Sequence, residues 1–339
     1  MLKKCKEKIS YKKVLLYNYI DYEQAKESLH SNKQEKCALV GTPSYGNLGD
    51  QLIAFAELEY LKSIYGKDNV IEISENDVRY RFNKVKRCIR NDMHIFLQGG
   101  GNISDIWVDQ EKIRKKMIKT FHNNIIVFPQ TVYFSNNVAE HTVLNKYKNN
   151  VVVCAREKNT YMVLKKNNIR TFLCPDMGFY LKKYYEYDFK NQERHGIAVC
   201  IRNDYEKSYI NAEKQITDFI EYNNYEYETF TTVIATYIKK DERRIRVEEM
   251  LHYISKKELI ITDRLHAMVM AYLTNTPCIA LANENKKVEG SYEWIKNAQN
   301  IYFTKDLDDG LKHIQQLISK KNESSFNYFD NYKKIADLL

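Results

Sequence analysis

Glycine, proline and paired cysteines are scarce in this chain of 339 residues. Its 11 glycines and 4 prolines leave few sites for long flexible linkers. The 7 cysteines are odd in number, scattered and never spaced as Cys-x-x-Cys. They therefore predict buried reduced thiols, and they argue against a disulfide framework or a zinc site. No apolar run approaches the roughly 20 residues of a membrane-spanning helix.

The N-terminus is rich in lysine and lacks the apolar core of a signal peptide, which predicts a cytoplasmic protein. The formal net charge is +9, but the excess is spread along the chain and no nucleic-acid-binding motif accompanies it. We therefore expect no nucleic-acid partner. The basic N-terminus predicts a solvated segment, and a weak peripheral attraction to the anionic inner face of the membrane is the open alternative.

Short apolar runs alternate with amphipathic stretches along most of the chain. Helical stretches lie near residues 50–65, 108–122 and 157–167. The runs that resemble strands buried on both faces cover residues 37–41, 70–73, 94–98, 125–128 and 151–155, and then 196–201, 230–235, 259–262 and 278–282. This alternation is typical of parallel, doubly wound sheets.

A polar segment rich in tyrosine and lysine interrupts the pattern before it restarts. We therefore predict an α/β fold with two Rossmann-like domains that face a cleft. The N-terminal domain spans residues 1–182 and begins with a basic helical lead over residues 1–35. Residues 183–195 form the linker, and residues 196–339 form the C-terminal domain.

The most informative motif is the segment from Thr262 to Ala267, which follows a short buried run and opens an apolar helix. Thr262 or Asp263 is predicted to cap this helix, whose free N–H groups favour an anion. Arg264 adds a two-pronged donor for phosphate or carboxylate, and His266 adds a group that titrates near neutral pH. The alternative is that Arg264 pairs with Asp263 while His266 makes a structural hydrogen bond.

Two glycine-rich segments follow predicted strands, where open α/β sheets bind ligands. Residues 41–50 end in Gly46-Asn-Leu-Gly-Asp50 and match neither a dinucleotide fingerprint nor a P-loop. Helix capping by Asp50 and ligand binding are equally good interpretations there. Residues 98–105 contain three consecutive glycines and predict a loop whose exposed amides cradle an anion or a sugar.

Single polar residues occupy corresponding positions after other strands. Gln130, Arg156, Asp176 and Arg202 each follow a predicted strand or its adjoining turn. A salt bridge to Glu157 or another neighbour is the favoured role for Arg156. Arg202 follows the first predicted strand of the second domain, on the side that carries the Thr262–Ala267 motif. This position predicts that its guanidinium binds an anion.

Together these motifs resemble the polysaccharide pyruvyl transferase family. The matching segments follow the order of the family over about residues 37–296, and they are Gly46-Asn-Leu-Gly-Asp50, Gln98-Gly-Gly-Gly-Asn102, Ala155-Arg-Glu157, Pro175-Asp176, Val199-Cys-Ile-Arg202, Thr262-Asp-Arg-Leu-His-Ala267 and Asn283-Glu-Asn-Lys-Lys-Val288. The resemblance implies a glycosyltransferase-B-like fold and an enzyme that transfers the pyruvyl group of phosphoenolpyruvate to a sugar. The products are a pyruvate ketal and phosphate.

The same resemblance assigns roles to the two domains. Arg264 and His266 become the catalytic residues. The donor side is the C-terminal domain, with Arg202, Arg264, Leu265, His266 and Lys287 around phosphoenolpyruvate. The acceptor side is the N-terminal domain, with Asn47, Gly49, Asp50, Gly99, Gly100, Gly101, Asn102 and Gln130 around the sugar.

The reaction and the residue types agree. Phosphoenolpyruvate carries a phosphate and a carboxylate, which suit arginines, and ketal formation needs an acid–base group with a pKa near the working pH. We expect no metal or other cofactor, with phosphoenolpyruvate as the co-substrate. The implied acceptor is a sugar of a cell-surface glycan, a capsule or an exopolysaccharide, carried on a lipid.

Two other interpretations stay open at this stage. One is a nucleotide-sugar-dependent glycosyltransferase of the same fold in polysaccharide synthesis, with Arg264 and Lys287 on the diphosphate. The other is a non-catalytic protein that binds a sugar or an anion in the same cleft. The acceptor sugar, the ketal stereochemistry and the oligomeric state do not follow from the sequence.

Overall fold

The computed structural model describes residues 36–147, 150–185, 189, 192–202, 209–318 and 329–338. The predicted helical lead over residues 1–35 lies outside these. Strands β1 to β14 are, in order, Cys37–Thr42, Tyr45–Asn47, Val70–Ser74, His94–Leu97, Gly100–Ser104, Ile125–Tyr133, Val151–Ala155, Arg170–Leu173, Ile197–Cys200, Tyr227–Thr229, Val233–Tyr237, Leu259–Thr262, Cys278–Leu281 and Ile301–Thr304. Helices α1 to α14 are, in order, Leu48–Tyr65, Glu75–Tyr80, Phe82–Cys88, Val108–Thr120, Asn137–Leu144, Lys158–Lys166, Lys182–Tyr185, Ala212–Tyr222, Arg243–Ser255, Leu265–Leu273, Lys287–Tyr292, Leu307–Lys312, Ile314–Ile318 and Phe329–Ala336.

The first unit is built on a seven-stranded parallel sheet. Its strands lie in the order β3-β1-β4-β6-β7-β8, and β5 pairs with β6. The central strands are buried on both faces, which is why they read as continuous apolar runs without alternation. Helices cover both faces of the sheet, as the alternation of strand and helix requires.

The second unit is a separate five-stranded parallel sheet in the order β10-β9-β12-β13-β14. The prediction of two Rossmann-like units is confirmed, because no sheet runs continuously from one to the other in the described residues. The predicted limits of the domains, 1–182 and 196–339, stay a prediction. None of the described helices combines the length and apolar content that crossing a membrane requires.

One predicted buried strand of the second unit has a different role. The run at 230–235 was expected to join the parallel sheet, but the strand observed is β11, and it pairs antiparallel with β2 of the first unit. Most of its residues are exposed or half-buried. The apolar character of this run therefore reflects pairing between the units and not burial inside a sheet.

The two units are held together by a buried polar contact beside an apolar interface. Arg243 of α9 is almost fully buried and donates to Gln51 of α1 at 2.8 Å and to Glu72 of β3 at 2.7 Å. The last helix, α14, also returns to the first unit, where the Tyr332 hydroxyl donates to the backbone oxygen of Asp176. The cleft walls are thus held together through α1 and α9.

The cysteines behave as the sequence indicated. The six cysteines within the described residues are free and buried, and Cys5 lies outside them. Burial raises the pKa of the Cys200 thiol to about 11, so this group stays protonated and unreactive near neutral pH.

Candidate active site

Each sheet reverses its strand order once, and the predicted motifs lie at these two points. In the first unit the chain passes from β1 to β3 on one side and then to β4 on the other. In the second unit it passes from β9 to β10 and then to β12 on the opposite side. Open parallel sheets bind ligands beyond the carboxyl ends of the strands at such points. Residues 43–50, 98–102, 202 and 263–266 follow β1, β4, β9 and β12.

Asn47, and not Asp50, caps helix α1. The side-chain oxygen of Asn47 accepts from the Gly49 N–H at 3.0 Å. Asp50 instead accepts from the Tyr45 hydroxyl at 3.0 Å. The capping role that the sequence left open for Asp50 is therefore wrong, and its carboxylate belongs to the cleft.

Gly49 is the point where the first unit meets the imidazole of the second. A Cβ atom placed on Gly49 would lie 2.3 Å from Nδ1 of His266, much closer than real Cβ contacts allow. A side chain at this position would therefore displace the ring. The glycine predicted for the acceptor site thus packs the first turn of α1 directly against His266.

Asp50 lies within electrostatic range of the same ring. Burial raises the pKa of the Asp50 carboxyl above its ordinary value, although the His266 charge, the Tyr45 hydrogen bond and then the Lys287 charge oppose this. The cleft therefore holds a carboxyl with a raised pKa and an imidazole on facing walls. Two titratable groups in such unlike environments are suited to general acid–base chemistry.

The glycine run after β4 is partly a strand and not the open loop that was predicted. Gly100–Ser104 forms β5 and pairs with β6, so its backbone is engaged. The Gly99 N–H donates to the buried carboxylate of Glu57 at 2.7 Å, and a Cβ on Gly99 would lie 2.7 Å from the Pro129 oxygen. Gly100 has a φ of +122°, which favours glycine. Close packing of backbone accounts for the first two glycines.

Asn102 and Gln130, both predicted to bind the acceptor, are bonded to each other. The Asn102 N–H donates to the Gln130 side-chain oxygen at 3.2 Å, and the Gln130 amide donates to the Gln98 backbone oxygen at 3.0 Å. Arg114 donates to the Asn102 side-chain oxygen at 2.6 Å. These contacts make the two residues part of a rigid wall at the acceptor side.

A buried ion pair lies behind His266. Arg156 is 1% exposed and donates from Nη1 to Asp176 Oδ2 at 2.7 Å, which confirms its expected salt-bridge role. His266 Nε2 lies 3.6 Å from the same oxygen, within ion-pair range. Burial alone would raise the pKa of Asp176, but His266 and Arg156 hold it below its usual range. An ionised carboxylate therefore lies beside the imidazole ring.

Neither Thr262 nor Asp263 caps helix α10, contrary to the prediction. Arg264 is the N-cap residue, with φ −96° and ψ 121°, and no side chain closes the helix end. Thr262 donates to the Cys200 oxygen and accepts from the Arg264 N–H, and Asp263 accepts from the Arg202 N–H at 2.9 Å. Both expected caps are thus occupied by contacts to the neighbouring loop and strand.

The uncapped start of α10 leaves several donors without protein partners. The N–H groups of residues 265–267 make no hydrogen bond to any described residue. Arg264 Nε and His266 Nε2 are also buried without a hydrogen-bond partner in the described part of the chain. Buried donors are normally satisfied, so their convergence at a helix N-terminus indicates a site for an anionic ligand.

Asp263 organises the arginines beside this helix end. Burial raises the pKa of its carboxyl to about 6, against the opposing effects of the Arg202 N–H and of the Arg202 and Arg264 charges. Arg202 is half-buried and enters the site through this backbone contact. Asp263 thus connects the ends of β9 and β12.

We expect Asp263→Asn to change the pH dependence of stability. In the native protein Asp263 binds a proton between about pH 4 and pH 6 that it releases when unfolded, so its contribution to stability is lost as the pH rises through about 6. Asparagine keeps the acceptor for Arg202 without a charge. Relative to this variant, the wild type should lose about 2 kcal/mol of unfolding free energy between about pH 4.5 and 7.5.

Urea unfolding at both pH values measures this difference. The exposed Asp241→Asn provides the matched control, and its difference from the wild type should not change with pH. A constant difference for Asp263→Asn as well would contradict the buried, protonating carboxyl.

Lys287 reaches the first unit from the start of α11. It is 8% exposed, and a Cβ on Gly101 would lie 2.9 Å from its Cε and 2.8 Å from Nη2 of Arg156. Gly101 and Lys287 also line one small cavity between the units. The third glycine of the run therefore makes room for two cations, as a close approach of backbone and ligand-binding side chains would require.

The predicted residues fall into two groups. His266, Gly49, Asp50, Gly101 and Lys287 meet across the cleft, and Arg264 and Arg202 lie beside the end of α10. Leu265 is buried and contributes its backbone there. Gly99, Gly100, Asn102 and Gln130 hold the acceptor wall through contacts within the first unit, while Asn47 caps α1 and pairs with Val233 of the second unit. Their roles in binding a substrate stay predictions.

Sequence reasoning did not connect Asp176 and Glu57 with the cleft. Asp176 was noted after Pro175, but nothing in the local pattern indicates that its carboxylate faces His266. Glu57 lies in the middle of α1, and its position in a largely apolar helix was the one available signal. Burial and the neighbouring Asp176 and Asp50 charges raise the pKa of Glu57 well above its usual range.

This chain is similar to several known proteins. The sequence profile of the polysaccharide pyruvyl transferase family matches residues 47–285. General stress protein 30 of Bacillus subtilis is 31% identical over 323 residues, which are 91% of each chain. Pyruvyl transferase 1 of Schizosaccharomyces pombe is 24% identical over 299 residues, covering 82% of this chain and 72% of the relative.

A solved structure shares the fold. An uncharacterised protein of Klebsiella pneumoniae superposes with a TM-score of 0.55 at 19% sequence identity. The match covers 80% of this chain and 94% of that protein. At this identity the likeness concerns the architecture of the two α/β units alone.

Proposed function

Since this chain belongs to the polysaccharide pyruvyl transferase family, and is thus an enzyme that transfers pyruvyl groups onto polysaccharide, we propose that its donor is phosphoenolpyruvate. The acceptor is a sugar of a lipid-linked cell-surface or exopolysaccharide glycan. The products are a pyruvate ketal on that sugar and inorganic phosphate. The reaction takes place on the cytoplasmic side, where phosphoenolpyruvate is available.

The observation that carries this proposal is the uncapped N-terminus of α10. Three backbone N–H groups and Arg264 Nε make no hydrogen bond within the described residues and lie at one helix end. Arg202 stands beside them through Asp263. A donor with one phosphate and one carboxylate supplies two anionic groups, which suit two arginines and a helix N-terminus.

His266 serves as the general acid in the proposed reaction. It delivers a proton to the methylene carbon of phosphoenolpyruvate, while a sugar hydroxyl adds to the adjacent carbon and yields its proton to Asp50. The carbon–oxygen bond to phosphate then breaks, and a second hydroxyl closes the ketal. The proton on the new methyl group comes from His266, which is reprotonated when Asp50 returns the first hydroxyl proton to it. The proton of the second hydroxyl leaves with the released phosphate.

The surrounding charges support these roles. Asp176 Oδ2 lies 3.6 Å from His266 Nε2 and places a negative charge beside the proposed general acid. Burial raises the pKa of the Asp50 carboxyl, which makes its carboxylate a stronger base for the proton of a sugar hydroxyl. Lys287 is buried nearby and offers a cation for the charge that develops on the departing phosphate.

A phosphate-release assay tests the proposal. The enzyme is incubated with phosphoenolpyruvate and a panel of neutral glycans, and mass spectrometry follows addition of one pyruvate ketal to the glycan. A parallel arm supplies sugar nucleotides in place of phosphoenolpyruvate. Release of nucleoside diphosphate with no phosphate from phosphoenolpyruvate would replace the proposal with a glycosyltransferase.

The variant Arg264→Lys sharpens this assay. Lysine keeps the charge but not the planar pair of donors, so we expect the KM for phosphoenolpyruvate to rise by about tenfold to a hundredfold. The control is Arg246→Lys on the exposed side of α9, where the side chain pairs with Glu249. An unchanged KM in Arg264→Lys would remove this residue from the donor site.

A further inference from the structure

A second, larger groove adjoins the acceptor wall and is lined mostly by side chains to which the sequence motifs do not point. It measures about 510 Å³, within the range of roughly 300–1,000 Å³ that is usual for ligand sites. Helix α2, the segment around Trp107 and strand β11 form its walls. The first two belong to the first unit and the third to the second unit, so the groove lies along the junction between them.

Three aromatic side chains are exposed in this groove. Tyr80 is 50% exposed, Trp107 37% and Tyr237 42%. Large exposed apolar side chains gathered in one concave surface with polar residues at the rim are typical of a binding site. Each aromatic comes from a different element, so sequence proximity does not account for their meeting.

The polar groups of the groove are arranged around one guanidinium. Arg79 donates to Glu75 at 3.2 Å and lies 3.5 Å from Asp109, so two carboxylates flank one cation. This local balance gives no positive field that would attract an anionic polymer or an anionic membrane. It does offer carboxylate oxygens and N–H groups to neutral hydroxyls.

The groove adjoins the candidate active site, because the two share lining residues. Tyr45 and Glu75 line both the groove and the cavity that contains Gly99 and Asn102. Trp107 lines both the groove and the cavity that contains Lys287. A chain that presents one sugar to the active site would therefore leave through the aromatic groove.

We propose that this groove binds neutral hexopyranose units that neighbour the pyruvylated sugar of the glycan. A pyranose ring has an apolar face of C–H groups and a rim of hydroxyls, so the aromatic faces pack on the ring while Glu75, Arg79 and Asp109 bond its hydroxyls. This inference rests on the proposed function, which identifies the sugar that receives the pyruvyl group. It adds that the enzyme binds several sugar units of the acceptor and not only the one that is modified.

Tryptophan fluorescence tests the groove directly. The chain has only two tryptophans, Trp107 in the groove and Trp294, which donates to the Arg156 backbone oxygen. In the Trp294→Phe variant, Trp107 is the one remaining reporter. Titration with methyl glycosides and with di- to tetrasaccharides of glucose, galactose and mannose should shift its emission. The dissociation constant should fall by about tenfold from the monosaccharide to the best trisaccharide, because further sugar rings then pack on the aromatic side chains.

Two further variants separate stacking from folding. Trp107→Phe removes the reporter but keeps an aromatic face, so calorimetry should still find the preference for longer sugars. Trp107→Ala and Tyr80→Ala should lose this preference, with a circular dichroism spectrum and melting temperature close to those of the wild type. Equal affinities of the wild type for all chain lengths, or no binding of any sugar in the panel, would overturn the inference.

The titrations contain no phosphoenolpyruvate, so this inference and the proposed function fail separately. Length-dependent sugar binding without phosphate release in the complete assay would refute the donor and leave the groove in place. Phosphate release that is equally fast with mono- and trisaccharides, and equal in Trp107→Ala, would refute the groove alone. A shift of Trp107 emission by phosphatidylglycerol vesicles and by no sugar would identify a membrane contact and overturn the inference.

Discussion

Replacing His266 with glutamine should lower the turnover number for phosphate release by about 10²–10⁴-fold, the usual contribution of a general acid or base. Glutamine approximates the size of imidazole and keeps hydrogen-bonding atoms, but it cannot deliver a proton at neutral pH. The fold should survive, because the ring lies at a cleft wall and is 15% exposed. The KM for phosphoenolpyruvate should change far less than the turnover number.

His195→Gln is the matched control for this experiment. Its side chain is 70% exposed and precedes β9, outside the motifs of the cleft. Both variants are compared for phosphate release per folded molecule and for melting temperature. A His266→Gln variant that melts early but keeps its activity per folded molecule would assign His266 a structural role and refute the acid–base assignment.

The pH profile separates His266 from the residue that positions it. Asp176→Asn removes the carboxylate charge that lies 3.6 Å from His266 Nε2, so the pH profile of activity should change. An unchanged pH profile with a merely lower rate would indicate that Asp176 acts through packing alone. Asparagine keeps an acceptor for the Gly178 N–H, which limits damage to the local turn.

Removing Arg156 should destabilise the protein by about 3–5 kcal/mol, as is typical when one partner of a buried ion pair is lost. Arg156→Met keeps much of the volume but leaves the Asp176 carboxylate buried without its guanidinium partner at 2.7 Å. Urea denaturation followed by tryptophan fluorescence measures the loss. The loss should be largest at neutral pH, where the unpaired carboxylate would otherwise be ionised.

The double variant and an exposed pair complete this test. Arg156→Met combined with Asp176→Asn should recover most of the lost stability, because the uncompensated charge is then gone. Lys333→Met breaks a pair with Asp330 at 2.6 Å whose side chains are 73% and 75% exposed, and it should cost far less stability than the loss of Arg156. Equal losses in Arg156→Met and Lys333→Met would contradict the importance of burial at Asp176.

The strands of the two parallel sheets could be predicted largely from local pattern. Residues 151–155 are a run of buried apolar side chains, and β7 has the same bounds as the predicted strand. β8 and β14 were missed, because each is a four-residue strand with half-buried positions and little apolar contrast. The run at 230–235 was placed in the wrong sheet, because apolar composition alone does not distinguish pairing between units from burial within one.

The candidate site was predictable in its position and not in its contacts. The motifs at Asp50, Gly99, Arg202 and Arg264 were found because polar residues and glycines follow buried strands at the carboxyl edge. The capping of α1 and α10 was not, because Asp50, Thr262 and Asp263 find partners elsewhere in the chain. A side chain of a type that often caps helices does not do so when it makes a hydrogen bond to another group.

The sequence by itself determined the two parallel α/β units and the sheet edges on which the motifs lie. The reason is that the apolar composition of each short run predicts a buried strand. Only the tertiary structure decided that Gly49 lies against His266, that Asp176 stands behind it, and that Tyr80, Trp107 and Tyr237 form one groove. The physical reason is distance along the chain. Arg243 and Gln51 are 192 positions apart and still share a hydrogen bond. Such meetings depend on how whole units pack, and no local periodicity records them.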